Sequence, residues 1–206
     1  MKLIIMDKRL ILPVVLLASA VAAGAQTERR IYTKAEQESA QKRTRQEYVQ
    51  KREQEKRIEA IQDSIRSVEA FVALEQLDFV LEANRLSFKR GETAYVTSNT
   101  NFVSLSDDKA VIQIAPFHGG EPNGVGGITL EGRASNIKLK TDKKGNVTFT
   151  MSVSGTGLSA TVDIFLPQNC YMASVTVNPN FHSNRVTLYG ILLPAGKSNI
   201  YKGMAP

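Results

Sequence analysis

A chain of 206 residues, 42% hydrophobic and 22% charged, is long enough to bury a core unaided, and its single cysteine excludes an intramolecular disulfide framework. The formal charge is +6, but three basic groups and one acidic group lie in the first 25 residues, so the remainder carries only +4. A concentrated cationic stripe is missing, which argues against nucleic acid as a partner.

Lys2, Lys8 and Arg9 precede an apolar run from Leu10 to Ala22, and Ala23-Gly24-Ala25 supplies the small residues at which a signal peptidase cuts. This pattern predicts a signal peptide over residues 1–25, cleaved near Ala25, and hence a periplasmic or secreted protein. The apolar run is short for a bilayer, so no integral membrane span is expected in the mature chain. The only cysteine, Cys170, lies far downstream, where it reads as a small buried hydrophobe at the start of a strand.

Residues 26–57 are rich in Glu, Gln, Lys and Arg, the composition of a charged, partly frayed helix or linker. Thr33 and Glu36 have the spacing of a capping box, and Glu38/Lys42, Glu47/Lys51 and Glu53/Arg57 stand four apart with the acid first. Residues 58–77 read as an amphipathic helix, because Ile58, Ile61, Ile65, Val68 and Val72 recur at alternating spacings of three and four. That stripe either docks on the following domain or forms an interface with itself or a partner.

From residue 78 to 206 the period changes from helical to two. Val147, Phe149, Met151 and Val153 alternate with hydroxyl residues, the signature of a half-buried strand. Further strands are expected around Phe79–Ala83, Ala94–Thr97, Phe102–Leu105, Ala110–Ala115, Ile128–Ala134, Ile137–Thr141, Thr161–Leu166, Tyr171–Val177 and Arg185–Leu192. Turns fall at Lys89-Arg90-Gly91, Asp107-Asp108-Lys109 and Asp142 to Asn146. The fold class is therefore mainly β: an antiparallel sandwich or barrel of about eight or nine strands, preceded by one long N-terminal helix.

The export signal, the charged helix, Phe79-Val80-Leu81-Glu82-Ala83, Asn101-Phe102-Val103, the Gly-rich segment up to Gly127-Ile128, and Val186-Thr187-Leu188-Tyr189-Gly190 form a recognisable set. Over about residues 71–193 the chain resembles an uncharacterised domain-of-unknown-function family of exported β-sheet proteins from anaerobic gut Gram-negative bacteria. The resemblance implies a small periplasmic or secreted β domain with no catalytic residues to carry over. Asp63-Ser64-Ile65 also resembles the short O-glycosylation signal of exported proteins from such bacteria.

Residue chemistry adds little that could react. His118 and His182 stand in loops without further ligands at metal-binding spacing, so no catalytic residue, metal or cofactor is expected. Glu131 and Asp163 would form a carboxylate pair only if their strands were neighbours. The Gly-rich stretch from Pro116 to Gly127 runs into a strand rather than opening a helix, which excludes a phosphate loop. It is either a connection between sheets or a lid over an apolar cavity, with Phe117 and His118 as contacting groups. Arg133, Lys138 and Lys140, joined by Lys143 and Lys144, are either a solvated face or a patch for an anionic envelope component. Two functions follow as expectations. One is a non-enzymatic domain binding an apolar or envelope-derived small ligand through Phe117, His118, Arg133, Lys138 and Lys140. The alternative is a structural or interaction protein assembling through the helix stripe.

Overall fold

The computed structural model describes residues 33–115, 127–156, 159–180 and 184–203. Helix α1 runs Lys34–Glu75, and its start is fixed by the capping box. The Thr33 amide donates to Glu36 Oε2 at 2.8 Å, and the Glu36 amide donates back to Thr33 Oγ1 at 3.4 Å. Two compact units divide the chain between Glu53 and Gln54. Within the first, residues 34–53 of α1 are exposed all round and bury nothing.

Nine strands follow in the second unit: β1 (Asp78–Phe88), β2 (Thr93–Tyr95), β3 (Phe102–Ser106), β4 (Lys109–Ile114), β5 (Ile128–Thr141), β6 (Val147–Gly155), β7 (Ser159–Leu166), β8 (Met172–Pro179) and β9 (Val186–Pro194). Each pairs antiparallel with its sequence neighbour from β3 to β9, and β1 pairs with both β3 and β9. Eight strands thus close into a barrel, and short β2 lies along the part of β1 that β3 leaves uncovered. Closure settles the choice between sandwich and barrel, and it leaves β1 and β3 to β9 without free edges.

One expectation fails in an informative way. Ile128–Ala134 and Ile137–Thr141 are not two strands but the single 14-residue β5. The register against β6 slips between Ser135 and Lys138, and Asn136 takes φ 52°. This β-bulge moves the inward set from even positions (Leu130, Ala134) to odd ones (Ile137, Leu139), a parity change that mimics a strand break. A second slip, between Ala83 and Arg85, bends β1 where it meets β9. There Gly190 lies so close to β1 that a Cβ would stand 1.9 Å from the Glu82 carbonyl oxygen, so the closing seam requires glycine.

Inward side chains of the barrel strands form one apolar cluster. Phe79 and Phe149 meet edge to face with centroids 5.3 Å apart, surrounded by fully buried Leu81, Leu86, Leu105, Met151, Ile164 and Leu188. Each such side chain contributes about 1.5–3 kcal/mol by leaving water. The last turns of α1 join the cluster through Ala70, Ala73 and Leu74, which are 0–2% exposed. Leu77, at φ 56°, ends the helix, and its carbonyl accepts the Asp107 amide at 3.1 Å.

The chain after β9 is strapped along the outside of the barrel wall. Lys197 pairs with Glu69 of α1 at 2.6 Å, Ser198 Oγ donates to Glu82 of β1 at 2.6 Å, and Lys202 pairs with Glu131 of β5 at 2.8 Å. Its anchor is Gln113, which faces outward from β4 yet is 0% exposed. Gln113 Nε2 donates to the carbonyls of Thr100 and Tyr201, both at 2.9 Å. Its Oε1 accepts from the Gly203 amide at 2.7 Å and from Thr129 Oγ1 at 3.1 Å. Every polar atom of that amide is satisfied, as burial demands. Asn101, also 0% exposed, bridges Ala115 in the same manner, accepting its amide at 2.7 Å and donating to its carbonyl at 3.2 Å.

Candidate functional site

The helix stripe does not dock on the barrel. Ile58, Ile61, Ile65 and Val68 are 53–61% exposed and Val72 is 36% exposed. The face that docks consists of Ser67, Ala70, Ala73 and Leu74. At about 100° per residue the stripe lies roughly 120–180° around the axis from Ala70, on the side away from the barrel. Small side chains win the docking position because they let the helix approach the strand ends closely, where branched side chains would hold it off. Flanking polar contacts fix the rotation: Arg66 stacks over the Tyr171 ring at 5.4 Å, and Glu69 holds Lys197. The fully docked positions before Leu74 are small, with Phe71 packing partly buried beside them, so a hydrophobicity scan favours the branched stripe over this face; its signal is the small-residue spacing of 67, 70 and 73.

The other sequence candidates do not gather into one site. Phe117, His118 and His182 lie outside the described residues. Arg133 is held by Asp108 at 2.8 Å. Lys138 and Lys140 are exposed and alternate with inward Ile137 and Leu139, which places them on the outer wall of β5. Glu131 and Asp163 form no pair, since β6 separates their strands. Glu131 is bound by Lys202, and Asp163 accepts from Thr150 Oγ1 at 2.9 Å. Cys170 is not a buried strand residue: it is half-exposed in the turn before β8, and its Sγ accepts the Met172 amide at 3.4 Å. Ser64 is exposed on α1 beside the stripe.

In the β5–β6 turn, Asp142 Oδ1 accepts the amides of Lys144 (2.8 Å) and Asn146 (2.9 Å), and Oδ2 accepts the Asn146 side-chain amide at 2.9 Å. The Asn146 side chain first, and then its backbone amide, hold the Asp142 carboxyl below its ordinary value of 3.8. That carboxylate is a turn-builder, with its oxygens committed to the loop it closes. Among the described residues no group of His, Cys, Asp and Glu could hold a metal ion, and no described helix is long and apolar enough to cross a membrane.

A closed meander of eight strands with a helix seated on it by small residues is a specific enough arrangement to compare. Residues 61–192 match the family model described as domain of unknown function, DUF4251. The chain belongs to this family. A crystal structure of a DUF4251 family protein from Bacteroides eggerthii DSM 20697 is similar at 44% identity and a TM-score of 0.60, covering 68% of this chain and 95% of that one. No curated protein matches. The DUF4251 match begins at Ile61, so the last turns of α1, with both their docked and exposed faces, are part of the domain. It ends at Leu192, ahead of the strap from Lys197 to Gly203.

Proposed function

We propose that this DUF4251 protein is an exported, non-catalytic interaction module whose barrel holds α1 in place so that the stripe Ile58–Val72 can bind a partner helix. The observation carrying this reading is the pair of opposed faces on one helix: Ala70 and Leu74 at 0% exposed, Ile61 and Val68 near 60%. A contiguous apolar row exposed on an otherwise charged helix costs solubility, and such rows mark interaction sites. The barrel contributes rigidity, because a helix already ordered by docking loses little further entropy on binding. Binding of an apolar or envelope-derived small ligand has less support, since the inward rows are occupied by one another's side chains and Arg133, Lys138 and Lys140 face outward.

The test is a double variant, Ile61→Asp with Ile65→Asp, expressed in the native host. Both positions are exposed, so the variant keeps the wild-type melting temperature. Wild-type protein in a gentle envelope extract elutes in a particle larger than the bare chain, and the variant elutes as the bare chain. Wild-type protein that elutes as the bare chain refutes the reading, and a co-purifying small molecule in native mass spectra would then favour the ligand.

A further inference from the structure

Resting on that reading, we infer that the partner of the stripe is the same stripe on other copies of this chain, arranged as a parallel, in-register bundle of three helices. The heptad positions of the stripe are Ile58, Ile65 and Val72 at a, and Ile61 and Val68 at d. All five are β-branched. Branched residues at a suit two-stranded bundles only when leucine occupies d; with branched residues at both, the packing favours three strands.

Direction follows from the residues that bound the stripe. Parallel copies in register place all five apolar layers against their own equivalents. Antiparallel pairing, in which a layers meet d layers, always loses one: it sets either Ile58 against Glu75 or Val72 against Gln54. In the parallel arrangement the flanking positions are also compatible, since Arg57 falls beside Gln62 of a neighbouring copy and Ser64 beside Glu69, with no like charges opposed.

Area sets the strength of self-association. The five side chains are 36–61% exposed and offer on the order of 500 Å² per helix. Divided between two neighbours, this gives each pairwise contact roughly 500 Å² in total, below the 1,200–2,000 Å² of a stable two-partner interface, so assembly is concentration-dependent. The docked face lies on the far side of the helix, so three barrels can be carried outside the bundle. Charge gives a lipid surface little to hold: the stripe is bordered by Arg57 and Arg66 as well as by Glu55, Glu59 and Glu69, a mixed border rather than the basic one of a membrane-binding helix.

Sedimentation equilibrium on the purified chain should give the mass of about three copies, and that of one copy for Ile61→Asp with Ile65→Asp, whose melting temperature should equal that of the wild type diluted to single copies. In a Cys170→Ser background, Ile58→Cys should cross-link between copies under mild oxidation, because parallel register brings position 58 to position 58. A single-copy mass at every concentration overturns the inference. So does cross-linking between mixed copies carrying Ile65→Cys and Ile61→Cys, or Ile65→Cys and Val68→Cys, with none through Ile58→Cys, which is the antiparallel result. If purified protein has a single-copy mass while its extract particle is still lost on the double substitution, self-association fails and the partner-helix reading stands. If the extract particle is missing as well, both fail. Co-sedimentation of single copies with phosphatidylethanolamine–phosphatidylglycerol vesicles overturns the inference in favour of lipid.

Discussion

Asp142 shows how one exposed side chain can shape a strand connection. Its carboxylate receives three N–H donors from within its own turn, and Gly145, at φ 81°, supplies the left-handed residue that lets the chain reverse. Because the folded-state pKa is lowered, the stabilisation is complete above the ordinary value of 3.8 and is lost as the pH falls below it through the depressed folded value. A carboxyl-carbon NMR titration should place the Asp142 midpoint below 3.8 in the wild type, and Asn146→Ala should move it back up, since the Asn146 side chain is the largest cause. An Asp142 midpoint indifferent to Asn146→Ala would assign the shift to the backbone amides alone.

The strap is an element with one fully buried side-chain anchor, Gln113, among several exposed ties. Replacing Gln113 with alanine removes, at a position that is itself 0% exposed, the hydrogen bonds it gives to the Thr100 and Tyr201 carbonyls and receives from the Gly203 amide and the Thr129 hydroxyl. The expected outcome is a loss of about 3 kcal/mol in urea unfolding, with amide exchange accelerated at Tyr201 and Gly203 and unchanged in β6 and β7. Slow exchange at Gly203 in that variant would show that Lys202–Glu131 and Ser198–Glu82 suffice to hold the strap. Nothing in the alternation pattern announces this role, because Gln113 and Thr129 occupy outward positions where polar residues are the rule; only the later course of the chain buries them. The same limit applies to α1. Periodicity places Ile58 to Val72 on one face but carries no information on which face is covered, and Ala70 and Ala73 attract no attention as anchors. By contrast, the barrel strands were legible, since every other residue of β6 and β7 must choose between water and core. The β5 bulge shows where that legibility ends, because a change of parity within one strand has the same alternation pattern as a break between two.

At the scale of the whole molecule, the boundary between Glu53 and Gln54 separates a unit whose helical residues 34–53 bury nothing from the unit that builds the domain. Residues 34–53 are exposed throughout, and their helix is maintained by propensity and the Thr33 cap, which together cannot hold a segment of that length firmly in water. The stripe, the docked face and the strap all lie beyond the boundary. Deleting residues 1–53 should therefore leave the urea midpoint and the denaturant slope of the barrel within error of the full chain, because the surface exposed on unfolding is the same. Far-UV circular dichroism should lose helical signal while the melting temperature holds. The deletion should also leave the mass measured by sedimentation unaltered, since the five branched residues remain. A fall in the unfolding free energy by more than about 0.5 kcal/mol, the range expected of surface changes alone, would show that the front of α1 stabilises the barrel. A fall in mass with the midpoint preserved would show instead that the charged half of the helix takes part in assembly.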